Sequence, residues 1–147
     1  GPKGPDKFCL LPPFVKGGLG GFPPLGEDDM QHFDLMVIGS GSGLEVSSEA
    51  AGLGLSVAII EEGPFGGTCL NRGCIPSKML IHCADVMDTI KTAHIFGIKA
   101  TVQGIDWQAI IARAVNEVDA DARAIEEGNR QADNITVFKG RGRFPLK

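Results

Sequence analysis

Residues 33–43 read FDLMVIGSGSG: six residues, apolar except for Asp34, run directly into five in which glycine alternates with serine. An apolar run of this length fits a strand buried in a parallel sheet, and the glycines predict a tight turn at its end. Downstream, 44–55 offers Ala50, Ala51 and Leu53 as apolar contacts and Glu45 near its start. This predicts a helix packed closely on the sheet and ending near Gly52 or Gly54. SVAII at 56–60 is β-branched and apolar, a second parallel strand closed by Glu61 and Glu62. The predicted fold class is α/β, a Rossmann-like βαβ unit with a parallel sheet, followed by two long helices and a short β segment.

The chemistry of such a unit follows from its geometry. Gly39 and Gly41 let the backbone turn sharply and approach a pyrophosphate, which meets free amides and the positive end of the helix dipole. An acid about 20 positions later, at the tip of the second strand, accepts hydrogen bonds from a ribose. Glu61 stands 22 residues after Gly39. A glycine turn alone is weak evidence, because many strand-to-helix loops need glycine merely for conformation. Here strand, turn, helix, strand and acid stand in the required order. The third fingerprint position is Leu44, so neighbouring Gly43 is expected to share the task of bringing helix and strand together. An acid at the strand tip suits an unphosphorylated adenosine ribose.

The chain's 147 residues suit at most one complete domain. Hydrophobic residues make up 43%, yet no apolar run approaches the roughly 20 residues of a membrane-spanning helix. Fourteen Lys and Arg against 18 Asp and Glu give a net charge of −4, without the basic excess that draws a protein to nucleic acid. Neither a nucleic-acid nor a membrane partner is expected. Residues 1–29 hold seven of the 21 glycines and six of the nine prolines, with no periodicity, and are expected to be a disordered arm. The Pro pair inside FCLLPPFV breaks the run that a secretory signal needs, so export is not indicated and a cytoplasmic location is expected. Met30 is a candidate start, which would make the arm upstream sequence and 30–147 the incomplete, N-terminal part of a domain.

Cys69 and Cys74 carry the most specific signal. If a helix is entered around Cys69, a turn and a half brings the two side chains near enough for a strained local disulfide, and the helix N-terminus lowers the thiol pKa. Both effects favour redox exchange. The alternatives are a stapling cystine and zinc. Closing so short a loop contributes only roughly 2 kcal/mol against nearly 5 for a long one. A tetrahedral zinc site wants four ligands, and His82, Cys83 and Cys9 supply no second paired motif. No metal site is expected.

GGTCLNRGCIPSK at 66–78, placed after VIGSGSG and the AIIEE strand end, resembles the active-site region of the flavoprotein disulfide reductases, the class I pyridine nucleotide-disulfide oxidoreductases. Within that family it is most similar to the dihydrolipoyl dehydrogenases, with the mycothione reductases close behind on GSGSG and IKTAHIFGI. The likeness spans about 32–144 and corresponds to an N-terminal part of an FAD-binding domain. It implies FAD held by Gly39, Gly41, Gly43, Glu61, Gly67, Thr68 and Gly140, with Cys69 and Cys74 as the redox disulfide against the flavin. In that pattern Cys69 is the interchange thiol that meets a small-molecule dithiol or disulfide. Cys74 passes electrons to the flavin, and Lys78, four residues on, lies beside its reactive nitrogen. Hydride then passes to or from NAD(P), in a complete homologue. These 147 residues hold no second glycine fingerprint for that nucleotide and no dimer domain, so a homodimer is expected only for a complete chain. The isolated chain is expected to be inactive. The alternatives are a mycothione or other disulfide reductase fragment, a zinc-binding module, or a nonfunctional truncated product.

Farther on, Met79, Leu80, Cys83, Val86, Met87 and Ile90 recur at helical spacing, so the cysteine helix should run to about Ala93 with Cys83 as a core thiol. A second helix is expected over 105–128 on the stripe Ile110, Ile111, Ala114, Val115, Val118, Ala122 and Ile125. Trp107 would pack at its start, and Asp119, Asp121 and Glu126 would face solvent. A strand over 134–139 leads to Gly140, Arg141, Gly142, Arg143 and Phe144. His32, His82 and His94 form no catalytic or metal-binding set.

Overall fold

The computed structural model describes residues 8–10 and 31–143. Met30, Phe144 and most of the arm lie outside them. Within the arm, the apolar triplet Phe8–Leu10 forms strand β1, which pairs antiparallel with β2, Gln31–Phe33, in the register Phe8↔Phe33. At these three residues the structure differs from the expected disorder, because an apolar segment finds ladder partners on the edge of β2.

The strand expected over 33–38 is cut at Asp34 and continues as β3, Leu35–Ile38. Asp34 Oδ2 accepts from the Ser56 amide at 2.9 Å and from the Ser56 hydroxyl at 2.6 Å, while the Asp34 amide donates to Ser56 O at 2.9 Å. This local exchange replaces a ladder step. Helix α1 spans Gly43–Gly52 and strand β4 spans Val57–Glu61. Gly54, at φ +83°, turns the chain between them. Helix α2, Gly67–Arg72, and helix α3, Cys74–Thr92, follow, with a 3-10 turn at Ala93–Phe96. Helix α4 is Trp107–Gln131 and strand β5 is Ile135–Lys139. β3, β4 and β5 make a parallel sheet with β4 central, in the registers Leu35↔Val57 and Glu61↔Lys139.

Being central, β4 is the most buried element: Val57, Ala58 and Ile59 are wholly inaccessible. Val57, Ile59, Ala50 of α1, Phe65 and Ile135 form one core cluster, and Leu70 with Val118 and Ala122 of α4 forms a second. The two are joined through Ile125, which packs against both. α1 comes close to the sheet at Gly43, where a Cβ would stand 2.7 Å from Val37 Cγ1. The close approach that the third fingerprint glycine normally gives is therefore made one residue earlier. Gly43→Ala is expected to cost about 1–2 kcal/mol as Val37 is forced aside, and Val37→Ala in the same chain should recover part of it. Urea midpoints of the two variants check this.

Several apolar residues sit farther out than their spacing suggests. Leu53 caps α1 and is 80% exposed. On α3 no residue is buried, because among the described elements it packs on α2, α4 and its own 3-10 extension. Cys83 is thus half-buried rather than a core thiol, 3.3 Å from Met79 O and 3.4 Å from Arg113 Nη2. α4 buries Ala114, Val118 and Ala122, four residues apart, which is a narrower stripe than expected. Val115, one step round the helix, and Trp107, in the first turn beyond the packed stretch, are more than half exposed. No helix among the described residues is long and apolar enough to cross a membrane.

Candidate active site

The site is assembled at the ends of β3, β4 and β5, where the parallel strands release their loops. Gly39 leaves β3 at φ +93°, a conformation only glycine adopts without strain, and its amide donates to Ile60 O at 2.8 Å. A Cβ on Gly39 would meet nothing within 4 Å, so this side of the turn is open rather than filled by side chains. Leu44 N bonds Gly41 O at 3.1 Å as α1 begins. The N-cap residue Ser42 makes no side-chain cap, which leaves the first amides of α1 without a partner from that hydroxyl.

Glu61, the last residue of β4, spans the turn. Its Oε2 accepts from both the amide and the hydroxyl of Ser40 at 2.8 Å, and Oε1 accepts from the Gly63 amide at 2.7 Å. Burial works to raise the Glu61 pKa. The Gly63 amide, the Ser40 hydroxyl and amide, and the Lys139 charge outweigh it and hold the carboxyl below the usual range. Glu61 is therefore an anion with acceptor capacity left on Oε1. Because the folded state binds this proton less tightly than the unfolded chain, the stability Glu61 contributes is present above the ordinary glutamate pKa of about 4.3. It is lost as pH falls below that. In Glu61→Gln this part of the acid dependence should vanish, which urea unfolding at a series of pH values between neutral and acid measures.

The cysteine segment is welded to the same turn. Gly66 N donates to Ser40 O at 3.0 Å, and a Cβ on Gly67, itself at φ +65°, would lie 2.6 Å from Gly41 Cα. Backbone thus rests on backbone between the two glycine stretches. Asn71 Nδ2 donates at 2.9 Å to both Phe65 O and Gly67 O, fixing the entry into α2. Thr68 and Cys69 follow Gly67 on this short helix and are exposed.

The single helix expected through both cysteines is instead broken at Gly73. There the chain folds back so tightly that a Cβ would stand 2.9 Å from Thr68 O and 3.2 Å from Cys69 Cα. Cys74 opens α3, and Pro76 sits in its first turn, where a missing amide costs nothing. The fold-back still joins the pair. Cys69 and Cys74 are both exposed free thiols, close enough for the Cys74 side chain to act on the Cys69 proton. The expected lowering of the thiol pKa by a helix end is not what Cys69 shows. Its bond to the Cys74 side chain pushes its pKa up, with burial adding to the rise and the Lys78 charge opposing it.

Gly140 also reaches the site: its amide donates to Glu61 O at 2.9 Å, and Gly142 packs on Ile38 at the end of β3. The structure therefore gathers Gly39, Gly41, Glu61, Gly67 and Gly140 beyond the C-terminal ends of the parallel strands. Gly43 serves the helix-to-strand contact beside them, and Cys69, Cys74 and Lys78 stand on the adjoining helices. Ser40 and Asn71 hold the loops together, although neither residue type at these spacings marks a site in the sequence. Among the described residues, no three His, Cys, Asp or Glu gather as metal ligands.

A family model described as pyridine nucleotide-disulphide oxidoreductase matches residues 33–141. The chain belongs to this family. Mycothione reductase of Mycobacterium tuberculosis (strain ATCC 25618 / H37Rv) is 39% identical over 115 residues, 78% of this chain and 25% of that protein. Dihydrolipoyl dehydrogenase of Chlamydia pneumoniae is 48% identical over 113 residues, 76% of this chain and 24% of the relative. Glutathione reductase of Burkholderia cepacia is 38% identical over 113 residues, with 76% and 25% covered. The chain thus spans about a quarter of the length of these pyridine nucleotide-disulphide oxidoreductases. The matched stretch contains the glycine turn, Glu61 and the cysteine pair.

Proposed function

We propose that this chain is an FAD-binding segment of a dihydrolipoyl dehydrogenase-like enzyme, in which Cys69 and Cys74 cycle between dithiol and disulfide. The observation that carries the reading is the backbone contact of Gly67 on Gly41, which ties the cysteine pair to a glycine turn suited to a pyrophosphate. The residues fit the dinucleotide. Gly39 faces open space, the start of α1 lacks a side-chain cap, and the ionised Glu61 keeps an acceptor site for a ribose hydroxyl. In this reading Gly39, Gly41 and the first amides of α1 hold the pyrophosphate. Glu61 holds the adenosine ribose, with Gly140 beside it, and Gly67 and Thr68 carry the chain past the cofactor to Cys69.

Bound FAD supplies a two-electron acceptor and donor next to the sulfur pair. The chain's own part is thiol exchange. A substrate thiolate attacks Cys69 Sγ of the Cys69–Cys74 disulfide, the S–S bond breaks, and Cys74 leaves as thiolate. The second substrate thiolate then attacks the sulfur of its own first thiol in the mixed disulfide. It closes the substrate disulfide and releases Cys69. Lys78, whose charge already acts on Cys69, stabilises the thiolate form. Run backwards, the same groups reduce a disulfide. The higher identity to the Chlamydia pneumoniae dihydrolipoyl dehydrogenase favours a dithiol of lipoyl type. The relatives that are mycothione and glutathione reductases keep a disulfide substrate as the second reading.

Titration of the purified chain with FAD tests the proposal. Saturable quenching of flavin fluorescence, and yellow protein after gel filtration, are the expected results. Flavin fluorescence that stays at its free value, with colourless protein, would overturn it.

A further inference from the structure

Glu61 is held by more than the glycine turn. Its strand partner across the sheet is Lys139, 76 residues farther along than Gly63 and brought beside it by the parallel pairing of β4 with β5. The Lys139 ammonium does two things at once. It donates to Gly63 O at 2.7 Å and to Glu126 Oε2 at 3.0 Å on α4. It also lies 5.2 Å over the centre of the Phe65 ring, a side chain with no exposed surface. Glu126 is in turn fixed by Arg130, whose Nε and Nη2 reach Oε1 at 3.0 and 2.8 Å. Charge-assisted bonds of this kind are stronger and more directional than neutral ones.

Gly63 is therefore gripped from both sides. Its carbonyl is taken by Lys139, and its amide points at Glu61 Oε1, 2.7 Å away. A glycine in a loop is otherwise the residue least able to hold its own orientation. Oε2 is committed to Ser40 and one lone pair of Oε1 to the Gly63 amide, so Gly63 shares with Ser40 the setting of the carboxylate plane and of the direction of the remaining Oε1 lone pair. We propose that Lys139 is a positioning residue for recognition of the adenosine ribose, acting through Gly63 on the Glu61 carboxylate and anchored by Glu126 on α4. The inference rests on the reading of Glu61 as the ribose acceptor, and it adds a residue outside the glycine turn and the cysteine motif.

The test is calorimetric binding of ADP and 2′-deoxy-ADP to the chain and its variants. A charged hydrogen bond to a ribose hydroxyl corresponds to about a tenfold preference of the unaltered chain for ADP. Lys139→Met should shrink that preference to about twofold, and Lys139→Arg should restore it. Glu126→Gln, which keeps the lysine and removes the charge of its anchor, should lower the preference by about half. In Glu61→Gln, adding Lys139→Met should change the preference no further, since both then act on a missing carboxylate. If the unaltered chain shows no preference, the ribose reading of Glu61 fails and this inference with it. If the preference is present and Lys139→Met and Glu126→Gln both retain it, the inference alone is overturned. Equal losses of affinity for the two nucleotides in both variants would show a merely structural lysine, and would overturn it too.

Discussion

Cys74→Ser should abolish closure of the intramolecular disulfide and lower dithiol-driven reduction of bound flavin by about a thousandfold or more. The magnitude follows from proximity. A thiol held just beyond the fold-back of Gly73 onto Cys69 acts at an effective concentration that no free thiol in solution reaches. A serine hydroxyl at the same place cannot form the S–S bond and is not expelled as a thiolate. Cys69→Ser should also lose exchange but keep the Cys74 thiol, and with it any thiolate-to-flavin absorption band. Cys83→Ser is the control, because that sulfur lies between Met79 O and Arg113 on another part of α3. Anaerobic stopped-flow absorbance and thiol counts after mild oxidation distinguish the three variants. Equal flavin reduction in Cys74→Ser and the unaltered chain would contradict the assigned role.

Gly67→Ala should be the most damaging single methyl addition at the site. Its Cβ would enter within 2.6 Å of Gly41 Cα and 3.3 Å of Gly41 N, both backbone atoms that cannot swing away. The residue also holds φ +65°, where a non-glycine residue is strained. Together these amount to about 2–4 kcal/mol, a large share of the stability of a small domain. Flavin affinity should fall with it, since relief of the clash separates the glycine turn from α2. Gly104→Ala offers the comparison: nothing lies within 4 Å of its Cβ position. It should stay within about 0.5 kcal/mol of the unaltered chain in urea unfolding.

How far the sequence revealed the molecule depends on the range of the forces involved. The βαβ unit was legible because Val37, Ile38 and 57–60 are apolar over strand length and the glycines fall at their ends, all of it local information. The task of Gly43 was legible for the same reason. Gly73 was not, because inside a helical pattern it looks like a tolerated interior glycine. Only the fold-back onto Thr68 O shows that the residue must lack a side chain. Leu53, Val115 and Trp107 fit a helical stripe by spacing, but burial depends on what covers a face, and spacing says nothing of that. The polar braces were the least legible. Ser40 to Glu61 spans 21 residues and Lys139 to Gly63 spans 76, so each exists only after β3, β4 and β5 have paired in one register. Asp34 similarly looks like a lone charge in a strand, and its four hydrogen bonds with Ser56 appear only when the two strand starts meet.

The most direct measurement is an anaerobic reductive titration of the flavin-loaded chain, counting electrons taken up per flavin. If Cys69 and Cys74 form a redox couple in exchange with the cofactor, the oxidised chain takes up one electron pair beyond that of the flavin itself. Cys74→Ser then takes up only the flavin's pair. Uptake by the unaltered chain that stops at the flavin's own pair, with Cys69 and Cys74 unlinked throughout, would contradict the account.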